Sequence, residues 1–259
     1  MKKGQVVLIV LLISAVVMTI GMSMSKKTVT ETKINTDEEL LKKAFNAAES
    51  GLEMFEGTGE TGYETEDKTS TAKISTNDMG GDTNYIMPEA TLAGNAAYFW
   101  LVNHTINGDI GATYYSGGTI QLCAADTFNG GVKIDFFYKD AGNNYQVERW
   151  GFNLGVGDTK VDGFTDCTAD ICSGDNLCID SIATGTKPVL MVFTPVGSAT
   201  TFTINGMNTF PLQGQEIVSK GQSGDLESLP INRQVTIKNI YSIPSFMLEA
   251  ITSGGDVSN

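Results

Sequence analysis

Between Gly4 and Lys26 the chain carries no charged side chain, and apolar residues fill 15 of the 21 positions from Gln5 to Ser25. Coiled as a helix, that run spans roughly 31 Å, about one hydrocarbon core. It is longer than the apolar part of a cleaved secretory signal, and no small-residue cleavage site follows it. Residues 5–27 therefore read as a transmembrane helix. The pattern then changes without stopping. Leu41, Phe45, Ala48, Leu52 and Phe55 recur at steps of four and three, the spacing of one helical face, which Leu40, Ala44 and Ala47 widen. Residues 28–56 thus read as an amphipathic helix continuing the spine, with those five side chains docking it onto the rest of the protein. Thr36–Glu39 has the form of a capping box, so the helix either runs unbroken to Glu56 or is jointed near residues 28–36.

Residues 57–87 are rich in Thr, Gly, Glu and Asp and read as a linker or exposed loop. Short apolar alternations bounded by turn residues follow. Val132, Ile134, Phe136 and Tyr138 alternate with other side chains, and the turn Asp140–Asn144 leads into Tyr145–Trp150, which predicts a hairpin over 131–153. Further strands are expected at Tyr98–Thr105, Thr119–Ala124, Val189–Thr194, Thr200–Asn205 and Val235–Ile243. Strands that follow one long helix, with no β–helix–β alternation, define an α+β protein. Its expected form is a long N-terminal helix packed on a mainly antiparallel, β-rich head at 57–259. One sheet wrapped on the helix would account for it, with room for a second β-layer.

Charge changes the picture of partners. The net charge is −13, and because residues 1–56 are balanced, all of the excess lies in the head. Phosphate binding needs clustered Lys and Arg, so no nucleic acid partner is expected. Membrane lipid is met through the one N-terminal helix. Lysine pairs flank both ends of that helix and do not orient it. The four cysteines, Cys123, Cys167, Cys172 and Cys178, do: an even count without a Cys-x-x-Cys pair reads as two disulfides in an oxidising compartment. Three connectivities are open, and Cys123 is expected to join one of the other three while the remaining two pair.

Asp158, Asp162, Asp166, Asp170, Asp175 and Asp180 surround the last three of those cysteines and offer oxygen donors of the kind Ca²⁺ uses. Their spacing fails the EF-hand pattern, and the region reads as a solvated, disulfide-braced loop. No metal site and no cofactor are expected. His104, the only histidine, sits in the apolar run Phe99–Thr105 and reads as structural. With no partner set for nucleophilic catalysis, the chain is not read as an enzyme.

Lys2, Lys3 and Gly4, placed directly before an apolar span, resemble the class III leader of type IV prepilins. The stretch Ala47-Ala48-Glu49-Ser50-Gly51-Leu52-Glu53 is similar to one in PilX-type minor pilins. The resemblance implies a leader at residues 1–4 that a prepilin peptidase removes between Gly4 and Gln5, leaving Gln5 as the methylated N-terminus. It also implies that the helix packs against other pilin subunits. Major pilins carry Glu at the fifth mature position, where this chain has Ile9, so the likeness is to minor pilins and tip pseudopilins. What it implies is a single-pass membrane protein with an extracytoplasmic C-terminal head, at the cell surface or in a pilus. The alternative is a membrane-anchored surface adhesin or receptor that never polymerises, and leader processing separates the two.

Overall fold

The computed structural model describes residues 3–66, 68–105, 108–154, 160–167, 178–185, 187–224 and 230–253. In it the helical pattern is unbroken: α1 spans Lys3–Thr58, 56 residues, or about 84 Å at the helical rise. The capping box near residue 36 goes unused, because Thr36 donates its hydroxyl to the carbonyl of Thr32 at 3.0 Å and stays helical. Gly59 ends the helix with φ +77°, and its N–H closes on the Phe55 carbonyl at 2.8 Å.

The strands follow as β1 (Gly62–Glu64), β2 (Ser70–Gly80), β3 (Asn84–Ile86), β4 (Ala97–Trp100), β5 (Val102–His104), β6 (Ile110–Tyr114), β7 (Thr119–Cys123) and β8 (Gly130–Lys139). Then come β9 (Tyr145–Leu154), β10 (Thr165–Asp166), β11 (Cys178–Ala183), β12 (Pro188–Val196), β13 (Thr203–Gly206), β14 (Leu212–Ser223) and β15 (Ile231–Ile240), with a short helix α2 (Ser245–Ser253) near the end. The chain divides into two compact units, Met1–Thr76 with Ile217–Ile237 and Asn77–Glu216 with Lys238–Asn259, so β2, β14 and β15 each run from one into the other.

In the first unit α1 lies on a sheet of order β1-β2-β14-β15. Ala47 and Leu52 pack against Ala72, Ile74 and Ile217, with Phe55, Tyr63 and Val235 at the margin. Ala44, Ala48 and Gly51 are buried beside them. The contact is unusually close. Ser219 donates its hydroxyl to the Ala48 carbonyl at 2.7 Å. A Cβ on Gly221 would stand 1.9 Å from the Ala44 oxygen, and one on Gly51 2.8 Å from the Ala72 Cβ. Of the five docking residues expected from spacing, Ala48 and Leu52 are buried, Leu41 and Phe55 half-buried, and Phe45 is 44% exposed. Phe45 is therefore not a docking residue. The seam is centred on the small side chains at 44, 47, 48 and 51, and Phe45 lies at its margin.

The second unit is a β-sandwich. A five-stranded sheet of order β10-β9-β8-β12-β4 faces a four-stranded sheet of order β11-β7-β13-β3. Phe99, Ile134, Phe136, Met191 and Phe193 from the first meet Ile120, Leu122, Ile179 and Ile204 from the second. On its other face the five-stranded sheet buries Trp100, Phe137, Val189, Leu190 and Val192 beneath Met247 of α2, with Tyr241 and Ile243 alongside. The expected hairpin is present, in register from Gly130↔Leu154 to Lys139↔Tyr145. Within it Asp135 is fully buried, between Arg149 Nε at 3.1 Å and Lys133 Nζ at 2.8 Å. β1 with β2, β3 with β13, β4 and β8 with β12, β5 with β6, β7 with β11 and β13, and β8 with β9 all pair antiparallel, whereas the two-residue β10 lies parallel to β9. The class is α+β, as expected, but the helix sits on a sheet of its own while most strands form the sandwich. The linker expected at 57–87 instead holds β1, β2 and β3, because Ser70, Ala72 and Ile74 alternate inward towards the seam.

The seam ranks backbone approach above the large side chains that spacing alone would single out. Gly221→Ala should force helix and strand apart at a cost of about 2 kcal/mol or more. Phe45→Asp should stay within about 1 kcal/mol, as a surface change does. Hydrogen exchange of the amides of 217–223 in detergent-solubilised protein reads the difference: roughly thirtyfold loss of protection in the first variant and little in the second. Equal losses would mean that the seam is not set by backbone approach.

Candidate functional site

From Val10 to Glu39 every side chain of α1 is exposed. Leu11, Leu12, Ile13, Val17, Met18 and Met22 are each more than half open and distributed around the whole helix. Among the described residues this is the one helix long and apolar enough to cross a membrane. Two of its polar interruptions are closed internally: Ser14 donates to the Val10 carbonyl and Thr19 to that of Val16, both at 2.8 Å. These two hydroxyls are thereby satisfied without water. Gly4 and Gln5 fall within the first turns of the same helix. Beyond Lys26 the character changes, with Lys27–Glu31 and Lys43–Glu39 ion pairs at 3.7 and 3.1 Å on the surface.

Cys123 and Cys178 form a disulfide at directly paired positions of β7 and β11. Cys167 is disulfide-bonded as well, while Cys172 falls outside the described residues. Asp166 is committed to its own loop. Lys160 Nζ at 2.6 Å and Asn153 Nδ2 at 3.1 Å hold its carboxyl below the usual carboxylate range. Asp158, Asp170, Asp175 and the side chain of Asp180 lie outside the described residues. Among those described, no three His, Cys, Asp or Glu side chains gather as a metal site would require.

The second unit also holds a cleft of about 520 Å³ that sequence reasoning missed. One wall runs from Tyr85 to Leu92, another from Asn95 to Tyr98, and Gln213, Lys238 and Ile240 close it. Lys238 Nζ meets Glu89 at 3.4 Å on its rim. Burial raises the phenol pKa of Tyr85, with Tyr98 adding to it, and burial alone raises that of Tyr98. Four chain segments contribute to this cleft, and no local motif marks any of them.

His104 lies in a cluster of aromatic rings. Its ring stacks on Tyr241 at 4.1 Å and meets Trp100 edge-on at 4.4 Å. Both ring nitrogens are buried without a hydrogen-bond partner among the described residues.

The described fold is thus a long apolar N-terminal helix followed by a β-rich, disulfide-bonded head. No known protein family matches this chain, and neither does any curated protein or solved structure.

Burial lowers the pKa of His104 below its ordinary value of 6.5. The fold therefore favours the neutral ring. Its contribution is intact above pH ~6.5 and is lost as the pH falls below that, where the unfolded chain takes up a proton that the folded one refuses. Denaturation followed by tryptophan fluorescence between pH 7 and 5 should show stability declining. His104→Phe should flatten that slope. An unchanged slope in the variant would assign it to other groups.

Proposed function

We propose that this protein is a minor pilin-like subunit of a type IV pilus or related filament, anchored in the membrane by α1 before assembly. The observation that carries the reading is the surface of α1: apolar and exposed on all sides over Val10–Met24, yet continuous with a C-terminal half seated in the head. Such a surface needs lipid or neighbouring helices around it, and a filament core replaces the first with the second. Ile34 and Phe45, exposed along the flank of the spine, offer further contact to other subunits. The Cys123–Cys178 bond supports a head outside the cytoplasm, with the N-terminus inside. In this reading Ile9, in place of a carboxylate, suits a subunit that is not the repeating one. The second reading, a surface adhesin or receptor that does not polymerise, is favoured by the cleft in the sandwich.

Leader processing decides between them. Co-expression with the cognate prepilin peptidase should give a mature protein whose N-terminus, read by mass spectrometry, is methylated Gln5. Gly4→Leu should leave the precursor uncut. A cut beyond residue 20, or processing that ignores Gly4, would remove the pilin reading and leave the anchored receptor.

A further inference from the structure

β4 is an edge strand, paired only with β12 in its sheet. Its register shows which backbone groups are used. Phe99 pairs with Met191, and Leu101 donates its N–H to the Val189 carbonyl at 2.8 Å. Odd-numbered residues therefore exchange hydrogen bonds with β12, and the N–H and C=O of even-numbered residues point away from the sheet. At Trp100 the protein closes this outward pair with a side chain. Gln213 Oε1 accepts from the Trp100 N–H at 2.7 Å, and Gln213 Nε2 donates to the Trp100 carbonyl at 3.0 Å and the Pro211 carbonyl at 2.8 Å. A carboxamide has the donor and acceptor of one peptide unit, so Gln213 stands in for a neighbouring strand.

One pleat earlier the same outward pair belongs to Tyr98, which lines the cleft, and no partner for it occurs among the described residues. Exposed strand edges of this kind recruit extended chains. The cleft is within the size range of small-ligand sites, about 300–1,000 Å³. Its walls are largely apolar around the edge, with Met87, Ile240 and a 61% exposed Leu92. The only opposed charges named on it, Lys238 and Glu89, already neutralise each other.

We propose that this cleft binds an extended, uncharged segment of another protein, which adds to the β4 edge at Tyr98. The segment's N–H and C=O pair with those of Tyr98, and one bulky apolar side chain packs against Met87, Leu92 and Ile240. A strand of opposite pattern, with a charge at that position, is excluded by the desolvation of an unpaired ion. The inference does not rest on the filament reading, since an anchored receptor would use the same edge.

The test uses full-length protein in lipid nanodiscs and a displayed library of random peptides, counter-selected on empty nanodiscs. Enriched peptides should share a bulky apolar residue flanked by uncharged ones. When synthesised, they should slow hydrogen exchange of the Tyr98 amide by about tenfold or more at saturation. Tyr98→Pro removes the outward N–H at a position that gives nothing to β12 and should weaken binding at least about tenfold, while Tyr98→Phe should keep it. If Tyr98→Pro disturbs the fold, as tryptophan fluorescence would show, Leu92→Asp sets a charge on the exposed apolar wall of the cleft and serves instead, again with a loss of at least about tenfold. No enrichment, protection confined to another segment, or full binding to these variants overturns the proposal.

Discussion

The close approach of α1 to β14 sets the architecture of the helix-bearing unit. The Ala44 carbonyl faces Gly221, and the Ala48 carbonyl takes the Ser219 hydroxyl. Leu52 and Ile217 continue the same series within one apolar cluster. Four helical residues advance about 6 Å and two strand residues about 6.6 Å, so the two repeats stay in step over all three rungs. A one-residue slip of β14 would turn Ser219 and Gly221 away and present Val218 and Lys220 to the helix backbone. Small residues at 44, 47, 48 and 51 on one side, and at 72, 219 and 221 on the other, are the condition for this contact. No larger set could bring the backbones so near.

That condition also explains what could and could not be read from the sequence. The long helix was legible because its apolar density and its later 3.6-residue period are local signals. So was the hairpin at β8 and β9, whose alternation and turn lie within 25 residues. β2 and β14 were not, although at 11 and 12 residues they are among the longest strands. Most of their inward positions, Ser70, Ala72, Ser219 and Gly221, are small to suit a helix backbone only ångströms away, and Ser or Gly read in isolation signals a turn. The error at Phe45 has the same root. Periodicity ranks a helix face by its largest side chains, whereas this seam selects the smallest.

In the sandwich the difficulty is of another kind. β12 is buried on both faces, Met191 and Phe193 towards the facing sheet and Val189, Leu190 and Val192 towards α2. A central strand covered twice reads as a plain apolar run, which announces a strand and not its layer. The second layer and the covering helix α2 are consequences of long-range packing, as is the cleft, whose walls come from residues 85–98, 213 and 238–240. The cysteines gave a better guide. Any two-disulfide arrangement of the four joins Cys123 to one of the three later cysteines, and the sheet places its partner at Cys178, directly across from it.

An unjointed α1 has a mechanical consequence. Thr28, Thr30, Thr32 and Thr36 all return their hydroxyls to carbonyls four residues back. The stretch most open to water is therefore closed on itself and keeps its helical hydrogen bonds, although serine and threonine so placed can bend a helix. With no hinge at residues 28–36, force applied to the apolar end is delivered to the seam at Ala44–Leu52. There it meets contacts between backbones, which have no rotamers to exchange and so yield less than side-chain packing of the same extent. The strands that receive it, β2 and β14, are themselves continuous with the sandwich-bearing part of the chain. Residues 57–87 therefore join the helix to the rest of the chain through paired strands and not through a flexible linker.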